Sequence, residues 1–236
     1  MGTRGLTTVC ASSDIHSPRH LELFKKALEE SRCDPDVFVL AGDVVERNNI
    51  AEYGRVLSLL KTRHPGTPIV AVFGNEEYRG FEKEYMEKYR DVVFLNDSYR
   101  ILEARGSRLV VVGPRGALDK PTKWQEKNLP GLARYYSELP ARLSELLSDA
   151  SSTHLPILLV THYGVTHRNL IGENPAVYPY LASVRMEEVI ARHSGLLKAV
   201  IHGHAHNGAV ESVEVGGVKV YNVALPARGR IVEVEV

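Results

Sequence analysis

The sequence predicts an α/β domain with two β-sheets and helices outside, one sheet mostly parallel and the other gaining antiparallel strands. Three observations carry this. Up to about residue 90, short apolar runs alternate with stretches whose apolar residues recur every three or four positions, which is the pattern of right-handed crossovers in a parallel sheet. Residues 100–104 and 108–113 read as a hairpin, and residues 209–236 read almost entirely as strand. The chain has 236 residues, 44% of them hydrophobic, enough to bury a core. No linker, repeat or low-complexity segment divides it, so residues 1–236 are expected to form a single domain.

The elements follow in order. LTTVCASSD (6–14) is the first strand, and Ser17-Pro18 predicts a helix start with Ser as cap and Pro at the first helical position. Leu21, Phe24 and Leu28 give that helix its apolar face. DVFVLAGD (36–43) is the second strand; Ile50, Tyr53, Val56, Leu57 and Leu60 recur at helical spacing before a turn at Pro65-Gly66. PIVAVF (68–73) is the third strand, and Phe81, Tyr85, Met86 and Tyr89 predict a helix over 79–90. After the hairpin, 114–131 is a long proline-rich loop of the kind that usually carries function. A helix over 132–150, broken at Pro140, precedes the strand 156–162; a loop over 163–182, a helix over 183–193 and a strand over 198–201 follow. Gly216-Gly217 suits a two-residue hairpin turn between the last strands but one.

Composition narrows the function. Lys plus Arg and Asp plus Glu each number 29, so no global field draws the chain to nucleic acid or anionic membrane. No apolar run approaches the roughly 20 residues that would span a bilayer. Two cysteines, Cys10 and Cys33, with no secretory or arginine-rich leader before them, predict a reduced, soluble, cytoplasmic protein. Two thiols are too few for a thiolate metal centre, whereas ten histidines, three of them in HGHAH (202–206), can supply imidazole.

Polar clusters end five of the predicted strands. Asp14 and His16 follow the first, Asp43 the second, Asn75 the third, His162 the strand 156–162, and His204 with His206 the strand 198–201. The carboxyl edge of an open α/β sheet is where ligand sites form. Taken singly, Asp-x-His and Gly-Asp are common turn sequences, and His202 reads as structural. Together, Asp, Asn and His donors suit Mn, Fe, Zn or Co, and two such ions about 3.5–4 Å apart are a device for phosphoester displacement.

The ordered series D-x-H (14–16), GD (42–43), GN (74–75), H (162) and GHxH (203–206) resembles the calcineurin-like metallophosphoesterases, over nearly the whole chain. The resemblance implies a four-layer αββα sandwich of two mixed β-sheets flanked by helices, with a dinuclear centre at the sheet edge. It implies that Asp14, His16 and His206 hold one divalent ion, Asn75, His162 and His204 the other, and that Asp43 bridges them. A hydroxide held between the ions then attacks phosphorus, making the chain a hydrolase of phosphomonoesters or phosphodiesters with a small phosphoester or nucleotide as substrate. GDVVERN is similar to the GDxVDRG run of the Ser/Thr phosphatase branch, which makes Arg47 a phosphate clamp.

Many family members carry, after the Asn, a His that protonates the leaving group; here Glu76 stands there. Nearby cations keep a carboxylate ionised. Glu76 then orients water or a ligand while His20 or His167 delivers the proton, or the leaving group needs none, or the fold serves as a scaffold like the family's retromer subunit. An Mre-type nuclease is the alternative among enzymes; no appended DNA-binding domain supports it. Arg115, in GPRG, is a second candidate clamp, and Trp124, Tyr163, Tyr178 and His167 are candidate substrate contacts from the two long loops.

Overall fold

The computed structural model describes residues 6–236; residues 1–5 of the expected 1–236 domain lie outside them. The first sheet is built from β1 (Thr8–Ser12), β2 (Val37–Ala41), β3 (Ile69–Val72), β4 (Val92–Leu95) and β11 (Val232–Glu235), in the order β11-β1-β2-β3-β4. Only the β1–β11 pair is antiparallel. The second sheet contains β5 (Ser98–Ala104), β6 (Ser107–Gly113), β7 (Ile157–Val160), β8 (Leu197–His202), β9 (Ser212–Val215) and β10 (Val218–Asn222), in the order β5-β6-β7-β8-β10-β9. Its two outer pairs are antiparallel and its inner ones parallel. Helices α1 (Leu21–Glu30), α2 (Ile50–Arg63) and α3 (Glu82–Lys88) belong to the first sheet, and α4 (Lys123–Asn128), α5 (Leu132–Ser151), α6 (Val184–Arg192) and α7 (Leu225–Arg228) come later in the chain. No described helix is long and apolar enough to cross a membrane.

Strand alternation makes the layers. Val9, Ala11, Val37, Val39, Val70 and Val72 face Leu109, Val111, Leu158, Val160 and Ile201 of the other sheet, forming the central core. The residues between them point the other way: Cys10, Phe38, Leu40 and Ala71 pack on Phe24, Leu28, Val56 and Leu60 of α1 and α2. Val110, Val112, Ile157 and Leu159 pack on Leu139, Leu143, Leu147 and Met186 of α5 and α6. Two sheets buried on both faces, with a helical layer outside each, form the four-layer sandwich that the motif series implied.

Several local expectations are corrected. Ser17 does not cap α1: its hydroxyl donates to Glu52 Oε2 at 2.7 Å and its N–H to Val44 O, so it is tied to the β2–α2 loop and α1 begins only at Leu21. Pro140 does not break the helix; α5 runs unbroken for 20 residues. An internal proline costs about 3 kcal/mol, which burial of Leu139, Leu143 and Leu147, at about 1.5–3 kcal/mol each, outweighs. The loop 114–131 contains α4, whose capping box joins Thr122 and Gln125, and the loop 163–182 contains a 3-10 turn, Pro175–Tyr180. β4 was not announced by the sequence, since four residues carry too little alternation to show a period.

The cysteines are not free thiols. Cys10, on the helix-facing side of β1, is disulfide-bonded to Cys33, just beyond α1, with Cα atoms 6.3 Å apart. They stand 23 positions apart in sequence, so only the β1–α1 packing makes them neighbours. The expectation of a reduced protein is thereby overturned, and the cytoplasmic reading loses the cysteine argument on which it rested.

Candidate metal centre

Asp14, His16, Asp43 and Asn75 lie just beyond β1, β2 and β3, and His162, His204 and His206 just beyond β7 and β8, so both sheets present their carboxyl edges to one place. The turns there are tight. Asp14, His16, Asp43 and His204 all have left-handed backbone, with φ of 57°, 44°, 49° and 68°. Such conformations cost non-glycine residues about 1–3 kcal/mol each and gather at functional sites. The motif glycines answer to crowding. A Cβ at Gly203 would lie 2.6 Å from Asp14 Oδ2, and one at Gly74 2.8 Å from Asp43 Cγ, so any side chain there would push a ligand out of place.

Donor atoms of Asp14, Asp43, His162 and His204 lie within 4.8 Å of one another, and so do those of Asp14, His16 and His206. The Oδ1 of Asp14 is 2.9 Å from His206 Nε2, while its Oδ2 accepts the Ser13 hydroxyl at 2.5 Å and the His204 N–H at 2.9 Å. The Oδ1 of Asp43 accepts the Glu76 N–H at 2.8 Å. That leaves Asp43 Oδ2 between the two groups, 3.8 Å from His16 Nε2 and 3.4 Å from His162 Nε2. Asn75 Oδ1 is 3.2 Å from the same His162 nitrogen.

The donors fit a bound cation. Asp14 and Asp43 are both buried. Burial would push the Asp14 carboxyl up, yet the His206 hydrogen bond and the charge of His162 hold it well below the usual carboxylate range. Against its own burial, His162 is pushed up to about 9 by Asp43. The pocket therefore draws positive charge. His16 Nε2 and His206 Nε2 face each other at 3.4 Å beside Asp14 Oδ1, two imidazole nitrogens that a cation could take as ligands in place of the proton His206 gives to Asp14. His162 Nδ1 donates to Ala41 O at 3.0 Å, which turns its Nε2 toward the centre, where a cation would take the place of the proton that Asp43 favours.

His202 differs on that last point, because both its nitrogens are satisfied: Nδ1 donates to Gly203 O at 2.8 Å and Nε2 accepts from Asn169 Nδ2 at 2.7 Å. It is the structural histidine of HGHAH, pushed down to about 4 by burial.

The two carboxylates of GNEE divide. Glu76 is half-buried and its Oε2 accepts the Arg47 N–H at 2.6 Å. Glu77, which sequence reasoning missed, is 1% exposed. Its Oε2 accepts the N–H groups of Gly74 and Asp43 at 2.7 and 2.9 Å, and its Oε1 those of Val44 and Val45 at 2.8 and 3.2 Å. Burial and the neighbouring Asp43 push it up to about 7. The only sequence signal was a second carboxylate beside Glu76, and adjacent residues do not declare which one turns inward.

Other candidates are placed as follows. Arg47 is exposed at the head of α2. Arg115 is no surface clamp, as it is 2% exposed with its guanidinium bonded to Gly74 O, Glu77 O and Glu82 Oε1. Tyr163 is also withdrawn from substrate: it is buried, its ring 4.9 Å from that of His204. Trp124 is 64% exposed on α4. His167 Nε2 lies 3.0 Å from Asp119 Oδ2, with its ring against Tyr178, and is not brought into either donor group. His20 is partly exposed, its ring centroid 6.3 Å from that of His16.

Comparison with known proteins agrees with this architecture. A phosphopantetheinyl hydrolase from Mycobacterium tuberculosis superposes with a TM-score of 0.69 at 18% identity, covering 95% of each chain. A dimetal phosphatase from Danio rerio gives 0.59 at 12%, covering 92% of this chain and 86% of its own. A 5'-nucleotidase precursor from Thermus thermophilus gives 0.54 at 13%, covering 98% of this chain and 51% of its own. At these identities the likeness is one of fold. No curated protein sequence matches. A family profile described as calcineurin-like phosphoesterase matches residues 7–208, a span that contains every donor named above, and the chain belongs to that family.

Proposed function

We propose that the chain hydrolyses small phosphomonoesters or phosphodiesters, nucleotides among them, at a two-cation centre. Family membership carries the coarser statement, a metal-dependent phosphoesterase. Asp14, His16 and His206 would hold one divalent cation and Asn75, His162 and His204 the other, with Asp43 shared. The observation that carries this reading is the position of Asp43 Oδ2, within 3.8 Å of a nitrogen from each group. The mixed oxygen and imidazole donors suit Mn, Fe, Zn or Co. Two bound cations supply a water of lowered pKa and neutralise charge on the phosphoryl oxygens.

The chain's own groups hold that arrangement and meet the substrate. Ser13 and the His204 N–H fix Asp14, and the Glu76 N–H fixes Asp43, so that each carboxylate offers one oxygen to the centre. The exposed Arg47, whose backbone N–H is held by Glu76, would receive a phosphate oxygen. Glu76 acts in that positioning and not as a proton donor, and His20, partly exposed with its ring centroid 6.3 Å from that of His16, would protonate a leaving group. Trp124 offers an exposed ring to an aryl group or base.

A metal-by-substrate grid tests this. Protein stripped by chelation is reloaded with Mn, Fe, Zn, Co or Mg and offered mono- and bis-nitrophenyl phosphate, cyclic and linear nucleotides, a phosphopantetheinyl ester and single-stranded DNA. Hydrolysis that appears on loading and vanishes on chelation supports the proposal; cleavage confined to DNA favours the nuclease alternative. Silence across the grid with two cations bound per chain refutes it and favours a scaffold.

A further inference from the structure

The donors come from two sheets, and something must hold the two edges in register. We infer that Arg115 is a positioning residue for one half of the centre, clamping the Asn75 turn of the first sheet to the His162 turn of the second; this rests on the two-cation reading above. Arg115 follows β6 and is 2% exposed. Its backbone carbonyl accepts the N–H groups of His162 and Tyr163 at 2.9 and 3.2 Å. Its side chain reaches the other sheet, where Nη1 donates to the carbonyl of Gly74 and, at 2.8 Å, to that of Glu77. Nη2 donates to Glu82 Oε1 at 2.9 Å, which gives the buried guanidinium its counter-charge.

One residue thus grips the chain on both sides of Asn75 and at His162 and the residue after it. By contrast, the bonds made by Arg115 include none to Asp14, His16 or His206. The effect of Arg115 is therefore selective, falling on the cation held by Asn75 and His162. A lysine cannot replace it: one ammonium cannot span two carbonyls and a carboxylate in the planar fork that the guanidinium supplies.

The test is equilibrium binding of Mn(II) to the full-length chain, with the two bound ions read by electron paramagnetic resonance. Wild type should bind two ions with an exchange-coupled signal. Arg115→Met, whose fold is checked by circular dichroism, should bind one ion within about twofold of wild type and the other about 10–100-fold more weakly, with the coupled signal lost. Arg115→Lys should show the same selective loss, smaller in size, and it decides the matter if the methionine variant does not fold. Glu82→Gln, which leaves both carbonyl bonds in place, should keep both ions. Retention of both ions by the folded Arg115 variants, or equal weakening of both, would overturn the inference. A wild-type chain that binds fewer than two ions refutes the two-cation reading instead, so the two failures are distinguishable.

Discussion

Replacing Glu77 by Gln changes one oxygen to an amide and should destabilise the protein far more than the same change at Glu76. The Glu77 carboxylate accepts four backbone N–H groups, two on each oxygen. Whichever oxygen becomes the amide nitrogen, two buried donors then face another donor. Each unsatisfied buried donor costs about 1–3 kcal/mol, so the loss is about 2–6 kcal/mol. That is a large share of a domain stability of about 5–15 kcal/mol. Glu76 accepts one N–H, from Arg47, at a half-exposed position where water replaces a lost partner, and Glu76→Gln should cost under about 1 kcal/mol. The assay is urea unfolding followed by far-UV circular dichroism, with the slope compared between variants so that a change in midpoint reads as stability. A Glu77→Gln loss below that of Glu76→Gln, at equal slope, would refute the reasoning.

Four further outcomes are expected. Intact mass and thiol titration under denaturing conditions should find no free cysteine, and reduction should remove about 3 kcal/mol, the value expected for closing a loop of this length. His202 is buried neutral with its pKa pushed down to about 4, so the unfolded chain takes up a proton first as pH falls below 6.5; its contribution is full above pH 6.5, is lost at about 1.4 kcal/mol per unit toward pH 4, and should vanish from the pH dependence of unfolding in His202→Gln. Gly203→Ala, whose Cβ would stand 2.6 Å from Asp14 Oδ2, should lower cation affinity in a binding titration by about tenfold or more. Glu76→His should raise the rate on alkyl phosphates relative to nitrophenyl phosphate by about tenfold or more if proton delivery limits turnover, and an unchanged ratio means the proton is already supplied.

Much of the architecture was legible because strands and helices have their own periods. The alternation of Val9 and Ala11 with Cys10 distinguishes the two faces of β1, and the runs in β2, β3 and β7 are apolar throughout because both faces of each sheet are covered. What failed was local and had tertiary causes. Pro140 reads as a break because its N–H is missing, yet the buried leucines around it decide the path of the backbone. Ser17-Pro18 reads as a helix start because Ser favours the cap and Pro the first helical position, yet Glu52 and the β2–α2 loop claim the serine.

The sequence by itself determined the candidate donors and their order, since Asp, Asn and His at strand ends are chemical identities that no packing alters. The places of Arg115 and Tyr163 were decided only by the tertiary structure. An arginine in GPRG and a tyrosine after His162 look available to substrate, but side-chain direction depends on what lies across the other sheet. Burial took both away from the surface. The same holds within GNEE. Glu76 and Glu77 are chemically identical neighbours, and only the four N–H groups converging from two loops decide that the second is the buried one. Those donors come from residues 43–45 and 74, a convergence created by folding and absent from the order of the letters.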